Sequence, residues 1–214
     1  MPNLKNIVFW EKFLNDLDSD YKSWFKKEAG YLKQNITKDA IVLEVGCGDG
    51  RSLNNIFSVT QNLVGVDYDP KAVKDAKKNF KEFPKVRILE ADAKNLPFKD
   101  EEFDFVICMT TFANFGPHKY KALEEMKRVL KNTGNIIISV FNENALETRL
   151  KVYKKFGQKL RSINNGKIIF EERGDNWSEQ FSRQELEGIF EKVGLNINEI
   201  IKPKIAYICK LSKK

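Results

Sequence analysis

The stretch AIVLEVGCGDGRSL, residues 40–53, limits the possible folds more than any other. An apolar run ends in three alternating glycines, Gly46, Gly48 and Gly50, and helical spacing then takes over. Such a bend at the carboxyl end of a buried strand lets ligand atoms approach the backbone, while the next helix aims its free N–H groups at them. Glycine serves there because it has no Cβ to obstruct the approach. The dinucleotide fingerprint GxGxxG is not matched, since Arg51 stands where its third glycine belongs. Asp49, inside the bend, would also repel a pyrophosphate at short range. A ligand carrying ammonium or sulfonium charge suits these acids better.

From residue 40 onward, short buried runs alternate with helical stretches, the pattern of strand and crossover-helix units in a parallel sheet. AIVLEV, NLVGVD, KVRILEAD, FDFVICM and NIIISVF read as five strands. One helix begins at Asp69 and Pro70, a capping residue followed by proline in the first turn. Another runs from about His118 to Lys131 and stops before Gly134. The chain ends in a helix from Ser182 and two strands around Lys202 and Pro203, antiparallel because their connection is short. Residues 1–39 read as a helical cap of two amphipathic helices, with Phe9, Phe13, Leu14 and Leu17 on the first and Tyr21, Trp24, Phe25, Tyr31 and Leu32 on the second. Residues 40–214 form the main domain, with an insertion over about 142–181 that holds a basic helix and an aromatic, acidic loop.

The second strand ends at Asp67, where an acid can accept hydrogen bonds from both hydroxyls of a ribose. The third ends at Asp92 and Ala93. A single aspartate after a strand is usually a turn residue or helix cap. Three adjacent strands ending this way, with Glu44 and Asp49 beside the first, make an acidic rim.

With these motifs the chain resembles the class I S-adenosylmethionine-dependent methyltransferases, of the Rossmann-like methyltransferase superfamily. VLEVGCGDG is similar to the family's first motif, VGVDYDP to the second, EADAKNLPF to the third and FDFVICMTTFANF to the fourth. The likeness covers roughly residues 40–141 and the closing unit. It implies an α/β fold, a three-layer Rossmann-like sandwich whose seven-stranded, mostly parallel sheet has an antiparallel last strand. It also implies S-adenosyl-L-methionine as cofactor and S-adenosyl-L-homocysteine as product. Gly46, Cys47 and Gly48 would hold the methionine part through main-chain groups, with Glu44 supporting the bend. Asp67 would take the ribose, Tyr68 would lie along the adenine, and Asp92 with the Ala93 amide would read its edge. The Cys108 carbonyl would accept from the cofactor's amino group. Relatives often carry paired histidines where this chain has Phe112, Ala113 and Asn114, so no role of theirs transfers.

Methyl transfer from a sulfonium has a neutral leaving group, so positioning is the principal demand and no catalytic residue is assigned. Trp10, Tyr21, Phe112 and Trp177 are candidates for the substrate side; Trp10 and Tyr21 also fit a helical core, and Phe181 lies in the same aromatic loop as Trp177. His118, the sole histidine, reads as a surface or helix-capping residue. Cys47, Cys108 and Cys209 are widely spaced, and the sequence points to neither a disulfide framework nor a metal site. No apolar run approaches the roughly 20 residues of a membrane span, and the expected address is the cytoplasm. The expected acceptor is a small molecule with a nitrogen, oxygen or carbon nucleophile. The net charge of +7 and the basic run Arg149–Arg161 keep a tRNA or protein acceptor open. That run reads either as a solvated helix face, with Leu150, Tyr153 and Leu160 inward, or as a phosphate patch. A nicotinamide-dependent oxidoreductase and a non-catalytic adenosyl-binding module remain the other readings. Oligomeric state is not legible.

Overall fold

The computed structural model describes residues 17–171 and 177–214. Its seven-stranded sheet contains β1 (Val42–Val45), β2 (Leu63–Asp67), β3 (Arg87–Glu90), β4 (Phe103–Met109), β5 (Leu130–Phe141), β9 (Leu195–Ile201) and β10 (Ala206–Lys213). The order across the sheet is β3-β2-β1-β4-β5-β10-β9. Pairings from β3 to β5 are parallel, and β10 runs antiparallel to both β5 and β9. The chain therefore moves outward from β1 in one direction and then returns to continue from β4 in the other. A cleft opens at the carboxyl end of such a reversal, between β1 and β4.

Helices cover both faces, and the strands are apolar on both sides accordingly. In β5, Ile136, Ile138 and Val140 face one core, while Ile137 faces the other. The first core is closed by α4 (Lys119–Val129) through Ala122, Leu123 and Met126, and by α6 (Arg183–Lys192) through Leu186, Ile189 and Phe190. The opposite core is closed by α1 (Ser19–Asn35), α2 (Arg51–Ile56) and α3 (Pro70–Asn79), with Leu32, Leu53, Ile56, Val73 and Ala76 inward. Each fully buried Leu or Ile contributes about 1.5–3 kcal/mol. Local signals set the helix starts: the Asp69 side chain accepts from the Lys71 amide, and Ser182 forms a reciprocal cap with Glu185.

α1 spans both regions of the molecule. Tyr31 and Leu32 pack on the sheet, whereas Tyr21, Trp24 and Phe25 join Phe141, Ala145 and Val152 in a third cluster at the rim. Trp24 is wholly buried and donates its Nε1–H to Ser139 Oγ at 2.7 Å. Of the first helix, read over residues 9–17, only Leu17 is among the described residues, and it is buried in this third cluster.

Two expectations change. The helix expected to reach Lys131 ends at Val129, and β5 starts at Leu130, so Gly134 lies inside a strand. The register against β4 shifts between Phe103 and Phe105, and a Cβ at Gly134 would stand 2.7 Å from the Asp104 carbonyl oxygen. That glycine permits a close backbone approach at a bulge; it does not stop a helix. The insertion holds α5 (Leu146–Lys155) followed by a small antiparallel sheet, β6 (Leu160–Asn164), β7 (Lys167–Phe170) and β8 (Trp177–Ser178). Arg149, read as part of an exposed basic run, is fully buried. Lys151, Lys154 and Lys155 are exposed, with Lys151 paired to Glu147, and Arg161 belongs to β6. The run is thus no single helical face.

Candidate functional site

A cavity of about 900 Å³ lies at the carboxyl rim of β1, β2, β3 and β4 and extends under the insertion. Its first half is the glycine bend. Gly46, Gly48 and Gly50 all have positive φ, and the first and last are locked by neighbours: a Cβ at Gly46 would meet Thr111 at 2.2 Å, and one at Gly50 would meet Phe80 at 2.4 Å. Thr111 also donates to the Gly46 carbonyl at 2.9 Å. Gly48 differs, because a Cβ there would project into open space along the cavity wall.

Asp67, at the end of β2, is held from two sides. Its Oδ2 accepts from the Gly48 amide at 2.8 Å and its Oδ1 from the Asp69 amide at 3.0 Å. Two backbone donors fix the carboxylate plane and leave further lone pairs on each oxygen, the arrangement that a pair of adjacent hydroxyls requires. Beside it Tyr68 is 70% exposed, a free aromatic face at the rim. Asp92 and Ala93 line the next segment; Asp92 is exposed, accepts from the Lys94 amide and pairs with its ammonium at 3.3 Å.

The inner wall carries buried acidic groups with unsatisfied oxygens. Glu44 is buried and its Oε2 has no hydrogen-bond partner. Burial pushes its carboxyl up to about 8, although Arg51 and bonds from Ser52 and Leu53 favour the ionised form. Asp49 is buried as well, with both carboxylate oxygens unpartnered, and burial raises it to about 6. Arg51 Nη2 pairs at 2.9 Å with the buried Glu28 of α1 and stacks 4.2 Å from the centre of the Phe25 ring. The residue that breaks the dinucleotide fingerprint therefore ties α1 to the bend. A positive charge beside Glu44 and Asp49 favours the ionised form of both acids, and a sulfonium and an ammonium supply it. The donor set fits S-adenosylmethionine.

The second half of the cavity is lined by Leu17, Tyr21 and Phe25 of the cap, by Met109 at the end of β4 and Thr110 and Asn114 after it, and by Phe141, Val152, Tyr153, Phe156, Phe170 and Trp177. Among the described residues, the acidic side chains lining the cavity are Glu44, Asp49, Asp67, Asp69, Asp75 and Asp92, all of the first half. Thr110 adopts φ 67°, a strained conformation for a β-branched residue that turns the chain sharply at the meeting of the halves.

Of the residues expected from sequence, Glu44, Gly46, Cys47, Gly48, Asp67, Tyr68, Asp92 and Ala93 line the first half, and Tyr21 and Trp177 line the second. Cys108 does not reach the cavity. It is buried within β4, opposite Ile138 of β5, and the chain turns into the cavity only at Met109 and Thr110. Phe112 is also excluded, being fully buried among Phe115, Phe181 and Phe190. Phe181 is core for the same reason, and Trp10 lies outside the described residues. His118 precedes α4 without making a side-chain capping bond, and it lines the cavity mouth. Sequence reasoning passed over Thr110, Phe141 and Val152 as site residues; the end of the fourth strand was the one signal for Thr110.

Comparison with known proteins accords with this geometry. A family model described as "Methyltransferase domain" matches residues 43–138. The uncharacterized protein MJ1123 of Methanocaldococcus jannaschii is 35% identical over 144 residues, covering 64% of this chain and 64% of that protein. A demethylmenaquinone methyltransferase of Staphylococcus saprophyticus is 26% identical over 202 residues, 90% of this chain and 82% of that protein. Among solved structures, the PH0226 protein of Pyrococcus horikoshii shares the fold with a TM-score of 0.73 at 23% identity, covering 92% of both chains. A SAM-dependent methyltransferase of Aquifex aeolicus does so with a TM-score of 0.67 at 20% identity over 94% of this chain and 96% of that one. The matched methyltransferase domain, residues 43–138, holds the glycine bend and the acidic strand ends, and the chain shares its fold with these solved structures.

Proposed function

We propose that the protein binds S-adenosylmethionine along the acid-lined half of the cavity and methylates a small molecule held in the aromatic half. The observation that carries this reading is the division of one cavity into a wall of unpartnered carboxylates and a wall of uncharged, largely aromatic side chains. The cofactor supplies an electrophilic methyl group. Asp67, fixed by the Gly48 and Asp69 amides, would hold the ribose; Tyr68 would cover the adenine, with Asp92 and Ala93 at its edge. Glu44 and Asp49 would face the charged methionine end. Thr110 and the cap residues Tyr21 and Phe25 would place the acceptor, and such alignment is worth about 7–11 kcal/mol without a dedicated base.

Relatives named for a small-molecule acceptor, demethylmenaquinone, support this class of substrate. A tRNA or protein acceptor has less support, because the basic run divides between a buried arginine, a helix and a strand. A labelled-methyl assay over cell extract tests the proposal. Label is expected in the small-molecule fraction and unaffected by nuclease or protease; label that follows RNA or protein would reject the acceptor class.

A further inference from the structure

Arg149 has no place in the reaction just described, yet it sits immediately behind the acceptor half. It is fully buried. Its guanidinium bonds only to neutral acceptors: Gly166 O and Gln180 Oε1 at 2.8 Å each, and the Ser178 carbonyl at 2.6 Å and hydroxyl at 2.9 Å. Its Nε has no partner, and among the described residues no carboxylate pairs with it. Its carbon centre lies 4.7 Å from the Phe141 ring and 6.0 Å from the Tyr153 ring. Phe141, Tyr153 and Ser178 all line the cavity, so the charge stands one side chain behind the wall.

Holding Arg149 by neutral groups joins α5 to the small sheet, but a neutral side chain would do so without the cost of burying an unpaired charge. The hydrogen bonds also have a direction. Ser178 Oγ accepts from Arg149 and lies 3.0 Å from the Tyr153 hydroxyl. With Ser178 donating onward, the Tyr153 proton is presented to the cavity, polarised by the guanidinium behind it.

We propose that the acceptor half is a subsite for a planar aromatic anion, whose carboxylate or ionised hydroxyl oxygen is bound by the Tyr153 hydroxyl under the field of Arg149. The aromatic walls take the ring, and among the described residues no acid lines this half. This rests on the assignment of the other half to the cofactor, and it excludes amines, which that field repels.

The test uses three probes of one shape, 2-naphthoate, 2-naphthamide and 2-naphthylmethylammonium, titrated into the full chain with and without S-adenosylhomocysteine. Naphthoate is expected to bind about tenfold more tightly than the amide, and the ammonium more weakly than both. Tyr153→Phe, which keeps the ring, is expected to remove most of that preference while S-adenosylhomocysteine still binds; Arg149→Met should abolish it. Equal binding of the three probes, tightest binding of the ammonium, or a preference undiminished in Tyr153→Phe would overturn the subsite. Failure of S-adenosylhomocysteine to bind would instead reject the cofactor assignment, whereas its binding without a preference for naphthoate rejects the anion subsite alone.

Discussion

At Gly46 and Gly48 the same substitution has opposite consequences. In Gly46→Ala the new methyl would collide with Thr111 and displace its hydroxyl from the Gly46 carbonyl, so a loss of about 3 kcal/mol or more is expected in urea denaturation. Gly48→Ala meets no protein atom and costs about 1–2 kcal/mol for its left-handed backbone. Its methyl instead fills the cofactor wall, and calorimetry should record at least a tenfold loss of S-adenosylhomocysteine affinity from a protein that still melts cooperatively. Glu44 gives a pH prediction with a definite sign. Burial raises it to about 8, above its value in the unfolded chain, so the folded protein holds a proton that the unfolded chain has released. Its contribution is complete below the ordinary carboxylate range and is lost as pH rises through about 8. Ligand-free protein should therefore become less stable between pH 5 and 8 by an amount on the order of a few kcal/mol. Glu44→Gln should flatten that slope, and a slope that is unchanged would contradict the burial of an uncompensated carboxyl.

Between elements, the contact that most concerns the site is the Arg51–Glu28 pair joining α2 to α1. Arg51→Ala leaves a buried carboxylate unpaired, which costs about 3–5 kcal/mol. Differential scanning calorimetry should show a correspondingly lower melting temperature, and Glu28→Gln in the same background should recover much of it. Legibility from sequence also varies by element. The glycine bend, the acidic strand ends and the closing antiparallel pair could be read because each depends on residues a few positions apart. Arg51 was visible only as a departure from a fingerprint, since its partner lies 23 residues earlier on another helix. The insertion misled for a physical reason. Its strands alternate poorly, β6 being almost wholly exposed, and the basic composition around Arg149 imitates a solvated face. The informative signal was Asn165–Gly166, both at positive φ, the turn of the β6–β7 hairpin. Phe112 was read toward the cavity, but the chain leaves the sheet at Thr110 and the following turn directs that ring into the core, and periodicity cannot locate a strained turn to the residue.

Over the whole molecule, a net charge of +7 coexists with a cavity whose cofactor half is acidic. On the proposed reading the ligand is selected by the local wall of Glu44, Asp49 and Asp67 and not by the global excess of positive charge, because organised carboxylates shielded from solvent are screened less than surface lysines. No helix among the described residues is long and apolar enough to cross a membrane. The three cysteines are buried and unpaired. The central claim is that the acid-lined bend holds a sulfonium nucleoside, and isothermal titration calorimetry of S-adenosylmethionine against NAD addresses it most directly. One equivalent of S-adenosylmethionine should bind while NAD gives no heat, and Asp67→Ala should weaken that binding by roughly tenfold to a hundredfold through loss of charge-assisted hydrogen bonds. Binding of NAD in its place, or wild-type affinity in Asp67→Ala, would contradict it.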